Sequence, residues 1–421
     1  MRRKRTLLLA AAGLTILSAC GGAGSAQSKD TTIQVIATDY SGLKTGTAMS
    51  AYWNGLARTF EARNPHIHVE IRLFQVGKVD DAVAALVRQG KAPDIAQLDT
   101  YSSFAAADEL YSVDSLFPIS IESSFIPSLA AAGSVNRTQY GIPYVVGTRP
   151  FFYNKKLFAH AGITRPPETW DDIKADAIKL KADGVKVPVG LPLGPQEAEA
   201  ETMMWMLGNE GGYTDGSGAY TIDSDANVET FTWLRKNLVD TGLTGPRDPA
   251  TTNVSDAFAD FMAGRTGMLD GHITLLTQAK AAGIDVGVVP LPGRTGLSSQ
   301  TLGNADWVMA FKQPGHLDAD SAFLRFLYSR EILAKFQKDH PVLPVTADAS
   351  EEVWTNPAYR SLLPFMRQLP TAAFYPVNKP SWVPVADELR KFIGRAVHGR
   401  PKEVLRSLQD FAEAADTAAA Q

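Results

Sequence analysis

Apolar and polar positions alternate between two periods along the chain. Thr31 to Thr38, TTIQVIAT, reads as a strand. From Ala48 to Arg63, Trp53, Leu56, Ala57 and Phe60 recur at helical spacing, and Asn64-Pro65 ends the run. Ile67, Val69, Ile71 and Leu73 then alternate with His66, His68, Glu70 and Arg72, a strand with one wet face. Val79 to Arg88 forms a second helix closed by Gly90, and Pro93 to Asp99 a buried strand ending in a polar loop. Strand, helix, strand, helix, strand is the rhythm of an α/β lobe, in which ligands sit beyond the carboxyl ends of the strands. Two loops lie there: Asp39-Tyr40-Ser41 and Asp99-Thr100-Tyr101-Ser102.

The rhythm breaks after a mostly helical stretch. Tyr140 to Lys155 is long, extended and without helical period, which predicts a crossing into a second lobe. Thr169-Trp170-Asp171-Asp172 has capping-box spacing before an amphipathic helix reaching about Ala182. A strand at Val187–Leu191, the loop Gly194-Pro195-Gln196-Glu197 and three helices follow. Extended runs at Gly264–His272 and Gly303–Phe311 predict the second and third crossings. The expected fold class is α/β in two lobes, with a cleft between them and extended hinge crossings. The first lobe takes 31–145 and returns at 270–308; the second takes 150–266 and 312–421.

The N-terminus changes this picture. Arg2, Arg3, Lys4 and Arg5 precede an apolar run from Leu7 to Leu17, the layout of a signal peptide over residues 1–19. Leu17-Ser18-Ala19-Cys20 resembles a lipobox, which makes Cys20 the lipidated first residue of the mature protein. Residues 20–30 are small and polar and form a tether. Cys20 is the only cysteine, so no internal disulfide is open to the chain. Removing residues 1–19 takes four basic and no acidic residues, leaving 37 basic against 45 acidic, a net of −8. That balance disfavours nucleic acid and anionic lipid as partners. His66 and His68 have no third ligand beside them, so no metal or cofactor is expected.

The segments NPHIHVE, APDIAQLD, YGIPY…FFYNKKLF, PPETWDDI, FMAGRTGMLDGH, GNADWVMAF, FLYSREILAKFQKDHPVLPV and PSWVPVADELRKFIGRAVHG come in an order that spans nearly the whole mature chain. That order resembles the extracellular solute-binding proteins of carbohydrate ABC importers. The resemblance implies a periplasmic-binding-protein-like fold, a monomer, a carbohydrate ligand and the transmembrane subunits of a permease as partners.

Sugars present hydroxyl rims and apolar ring faces, so a site for them combines carboxylates, amides and guanidiniums with aromatic planes. The resemblance places a sugar-stacking indole at Trp382, with core packing as the alternative. It places polar and aromatic contacts at Asp99 and Tyr101, which equally suit a turn or a helix cap; Tyr40 ends the first strand. Thr148 and Arg149 lie on the first crossing. Arg149 suits an anionic group on the ligand, an aspartate across the cleft, or an interlobe salt bridge. Asp270 and His272 follow the second crossing. At the third, Asn304 and Asp306 share one strand face and Trp307 takes the other; Asp306 suits a hydroxyl acceptor or a hinge stabiliser. Gln196 and Glu197 are second-lobe loop candidates.

Two rivals stand beside the sugar receptor. One is a receptor for a sugar phosphate or glycerophosphodiester, which needs several basic groups. The other is a secreted glycoside-acting enzyme, although no G-x-S-x-G, H-E-x-x-H, phosphate-binding glycine loop or cysteine nucleophile is present. The anchor has its own test. Cys20→Ala is expected to release the protein into the medium or leave its precursor unprocessed, with the fold intact; unchanged lipid labelling and membrane fractionation would contradict the lipid anchor.

Overall fold

The computed structural model describes residues 30–40, 49–340 and 342–420. The export segment, Cys20, most of the tether and Ser41 lie outside the described residues.

The 49–63 helix forms because Met49, Tyr52, Trp53, Leu56, Ala57 and Phe60 make one buried stripe. It is stopped at Asn64, whose side chain donates to the Phe60 carbonyl at 3.0 Å. The strands β1 (Thr31–Asp39), β2 (Ile67–Gln75), β3 (Ile95–Leu98) and β4 (Ile142–Thr148) build the first sheet. β2 and β3 flank β1 in parallel. β2 alternates between half-buried and exposed residues, as its sequence predicts, while all four residues of β3 are buried.

Two residues, Arg149 and Pro150, carry the chain out of β4 and into a second sheet. That sheet holds β5 (Phe151–Asn154), β6 (Val187–Gly190), β7 (Thr266–Asp270) and β8 (Val286–Val289), in the order β8-β5-β7-β6. The helix Trp170–Ala182 beside it opens with the capping box that the sequence predicts. The Asp172 amide donates to the Thr169 hydroxyl at 3.0 Å and the Thr169 amide to the Asp172 carboxylate at 3.1 Å. β9 (Thr301–Ala310) then returns to the first sheet, antiparallel to both β3 and β4, and the short β10 (Ala372–Ala373) pairs with its start.

These pairings move two of the expected lobe boundaries. Thr266–Asp270 is not a crossing. All five of its residues are buried and it lies between β5 and β6. The chain stays in the second lobe through β8, which pairs Val286 with Asn154 and Val289 with Phe151. The return therefore runs between Val289 and Thr301, not near 270. The helices Leu317–Leu327 and Arg330–Asp339 do not join the second lobe either. Phe323 meets Phe60 edge-on at 5.2 Å, and Phe336 stacks on Tyr144 at 4.7 Å, both first-lobe contacts. The last crossing follows β10. The helices Trp382–Phe392 and Pro401–Ala419, with the helical turn Ile393–Val397 between them, close the second lobe; Gln409 accepts from the Ile222 amide and donates to the Tyr220 carbonyl, both at 2.7 Å.

Candidate functional site

The first crossing is stitched to β9. The Arg149 amide donates to the Leu302 carbonyl at 3.1 Å, and the Thr301 hydroxyl to the Arg149 carbonyl at 2.5 Å. Against this stitch lies the helix Ala198–Leu207, every residue of which is buried. Glu197, which caps it, and Glu201 stand four residues apart and so share one face. The Arg149 guanidinium is 7 % exposed as a residue and donates to both, at 2.8 Å to Glu201. Burial works against its charge, and the two carboxylates outweigh it, raising the Arg149 pKa further. Burial likewise opposes ionisation of Glu197, but Arg149 and then His272 outweigh it and hold Glu197 below its usual value. Glu201 goes the other way: burial pushes it well above the carboxylate range despite Arg149.

Asp270, at the end of β7, is buried and held at about 7 by that burial, with Arg149 pulling the other way. One of its carboxylate oxygens, like one on Glu201, has no hydrogen-bond partner. His272 lies next along the chain, its ring 5.1 Å from Phe258. Burial, then Arg149, lowers its pKa to about 4, so it is neutral at pH 7.

The first lobe contributes a second set. Gln97 of β3 donates to the Asp306 carboxylate at 2.9 Å and to the Tyr40 oxygen at 3.2 Å, and the Tyr40 hydroxyl also donates to Asp306. One polar triad thus joins the residue after β1, Tyr40, to Gln97 within β3 and Asp306 within β9. Beside it, the Asp80 carboxylate accepts from the Asp99 amide, the Thr100 amide and the Thr100 hydroxyl, each at 3.2 Å. Asp99 itself stays open to water. Protein crowds its other sides, and that crowding raises its pKa while Arg390 of the opposite lobe pulls it down.

A cavity of about 650 Å³ lies between the lobes, lined by Phe374, Tyr375, Asn136, Thr214, Asn378 and Lys379 among others. That is within the size range of small-molecule sites. Gly303 is required here: a Cβ on it would stand 2.6 Å from the Phe374 ring. Among the described residues no group of three or more His, Cys, Asp or Glu side chains is placed to hold a metal ion, and no helix is long and apolar enough to cross a membrane.

Residues 44–334 match the family described as bacterial extracellular solute-binding protein. The chain belongs to this family. A binding protein of Brucella abortus (strain 2308) is 28% identical over 420 residues, covering 96% of each chain. The sn-glycerol-3-phosphate-binding periplasmic protein UgpB of the same organism is 27% identical over 251 residues, 56% of each. Among solved structures, the sugar-binding protein MalE of Xanthomonas citri superposes with a TM-score of 0.76 at 20% identity, over 92% of this chain and 98% of that one.

Within this solute-binding protein the residues marked by the sequence divide. Tyr40, Asp99, Arg149, Glu197, Asp270, His272 and Asp306 fall into the sets above. Tyr101, Thr148 and Trp307 do not line the cleft; they are 0 %, 0 % and 1 % exposed. The Tyr101 hydroxyl donates to the Ala132 carbonyl at 2.6 Å, and its ring meets Trp307 at 5.7 Å. Alternation along β9 turns the Trp307 indole into the core while Asp306 faces Tyr40, and opposite this step β4 bulges at Tyr144, which the pairing skips. Thr148 donates to the Phe365 carbonyl at 3.1 Å, inside the hinge. Asn304 packs over Gly147, where a Cβ would come within 2.9 Å of its side-chain oxygen. Gln196 accepts from the Ser255 amide at 3.1 Å and so ties its loop to the first turn of the Val254–Met262 helix.

Trp382 is 4 % exposed and stacks on Tyr375 at 5.2 Å, with Tyr213 on its flank at 5.6 Å. It stands behind Tyr375, which with Phe374 lines the cavity. Sequence reasoning passes over Tyr375, Gln97, Asp80, Glu199, Glu201 and Arg390. The signal for two of them is there: Glu199 and Glu201 sit in a helix of otherwise apolar character, AEAETMMWML, and a buried carboxylate requires a partner.

Asp306 gives the site a pH signature. Burial raises its pKa from 3.8 to about 7. The folded protein therefore holds this proton more tightly than the unfolded chain, and the associated stability is full below about 3.8 and lost as pH rises through about 7. Melting temperatures of Asp306→Asn are expected to fall less steeply than those of the wild type between pH 4 and 7. Parallel curves would show that Asp306 is not the titrating group.

Proposed function

We propose that this solute-binding protein is the extracytoplasmic receptor of an ABC-type importer, that it captures a neutral carbohydrate by closing its cleft, and that it delivers the sugar to the membrane permease. A lipid on Cys20 would keep it at the outer face of the membrane. It acts by binding, not by turnover.

The observation that carries the choice of ligand is the pairing of Arg149. A phosphate site needs guanidinium or ammonium groups free to meet the anion. Arg149 is already shared between Glu197 and Glu201, and Arg390 between Glu199 and Asp387. The first turn of the Ala198–Leu207 helix, whose dipole would attract an anion, carries its own Glu199 and Glu201. Oxygens without a partner on Glu199, Glu201, Asp270 and Asn304 suit hydroxyls, which both donate and accept and so pair with a carboxyl whether ionised or protonated. Tyr375, backed by Trp382, supplies an aromatic plane at the cavity wall.

A thermal-shift series separates the readings. Glucose, maltose, trehalose, cellobiose, xylobiose and maltotriose form the neutral arm; glycerol 3-phosphate and glucose 6-phosphate form the anionic arm. At least one neutral saccharide is expected to raise the melting temperature, since ligand at a hundredfold excess over Kd adds about 2.7 kcal/mol of stability. A shift confined to the anionic arm would overturn the carbohydrate reading in favour of the glycerol-phosphate one.

A further inference from the structure

The first sheet stops at β2, which pairs with β1 and, among the described residues, with no strand beyond it. Backbone direction alternates along this edge. The His66 carbonyl accepts from the Thr31 amide at 2.9 Å, so the even-numbered residues of β2 turn their backbone groups toward β1 and the odd-numbered ones turn theirs outward. The chain caps two of the outward amides itself. Ile67 donates to the Asn64 carbonyl at 2.9 Å and Val69 to the Glu61 carboxylate at 2.8 Å. Further along, the backbones of Ile71 and Leu73 have no partner on that side among the described residues. Proteins commonly blunt such an edge with a lysine, a proline or a bulge. β2 has neither lysine nor proline, and it pairs with β1 in unbroken register from Ile67 to Gln75. Its apolar row, Ile67, Val69, Ile71 and Leu73, packs on the first-lobe core yet stays half-buried.

The charges on the other face are ordered for one partner. Glu70 and Arg72 are exposed, point the same way, and enter no ion pair among the described residues; Arg72 lies over the Phe74 ring at 5.5 Å. A second copy laid antiparallel, Ile71 opposite Ile71, sets Glu70 of each molecule opposite Arg72 of the other. This is a close pairing, with Cα atoms about 4.5 Å apart. The same register joins the free backbone groups: the Ile71 amides meet the Ile71 carbonyls, and the Leu73 amides meet the Val69 carbonyls. Val69 keeps its own amide on Glu61. A parallel copy in register would instead set like charges side by side.

We propose that β2 is the surface through which two copies of this chain pair, edge to edge about a two-fold axis at Ile71, so that the first sheet continues from one molecule into the next. The resemblance implies a monomer; the pairing belongs to this chain's own edge. β1 and β3 separate β2 from β9 and β4, the strands next to the hinge, so the contact leaves the lobes free to move. A lipid anchor would hold copies on one surface and raise their effective concentration.

Sedimentation equilibrium of the purified protein tests the contact on the wild type, Glu70→Arg, Arg72→Glu, the double exchange Glu70→Arg with Arg72→Glu, and Ile71→Pro. The wild type is expected to pass from monomer to dimer over about a hundredfold range of concentration. Each single charge exchange sets like charges opposite each other and is expected to weaken association about tenfold or more, while the double exchange restores complementarity and the dimer with it. Ile71→Pro removes an outward amide that the fold does not use and is expected to abolish pairing. The charged side chains are exposed, and melting temperatures of the variants report any loss of structure separately. A wild type that stays monomeric throughout, single variants that dimerise as the wild type does, or a double exchange no better than the singles would each overturn the contact.

Discussion

A buried guanidinium between two carboxylates fixes this molecule at its hinge. Taking Arg149, Glu197 and Glu201 out of water is costly, and the arrangement persists because each partner compensates another. The backbone of Arg149 is bonded to the start of β9, while its side chain holds the Ala198–Leu207 helix of the second lobe. One residue on the crossing therefore ties the strand that returns to the first lobe to the helix that walls the second. Removing one partner from such a set characteristically costs about 3–5 kcal/mol, because the other charge is left buried and unpaired.

The same pairing sets the chemistry of the cleft. With Arg149 neutralised, the remaining groups around the hinge are mainly carboxyls, and burial raises Glu201 and Asp270 toward their protonated forms, which donate as well as accept. The first-lobe triad of Tyr40, Gln97 and Asp306 offers another carboxylate already held by two donors. Such a surface matches a ligand rich in hydroxyls and resists a second anion.

Sequence patterning was most informative where period and burial coincide. The stripe ending at Phe60, the alternation of β2 and the capping box at Thr169 each follow from local physics, and each is present. The extended run from Tyr140 to Lys155 passes from one sheet to the other at Arg149-Pro150. Thr266–Asp270 looks the same in sequence, because a strand buried on both faces and a hinge crossing share an extended, apolar pattern; only pairing with β5 and β6 separates them. Amphipathic helices such as Leu317–Leu327 have the same limit, since a buried stripe does not name the lobe it packs against. At the site, chain position pointed to the polar residues that follow β1 and β3, Tyr40 and Asp99. It could not tell the core pair Tyr101 and Trp307 from ligand-facing aromatics, nor see that Trp382 supports Tyr375. Those distinctions depend on tertiary packing: Tyr101 meets Trp307 from a distant part of the chain, and Tyr375 covers the Trp382 indole.

The central claim, that a cleft with a neutralised hinge closes on a neutral sugar, is tested most directly by small-angle scattering of the purified protein. The radius of gyration is predicted to fall when the saccharide giving the largest thermal shift is added, and to stay unchanged with glycerol 3-phosphate. A fall with glycerol 3-phosphate and none with any neutral saccharide would contradict the account.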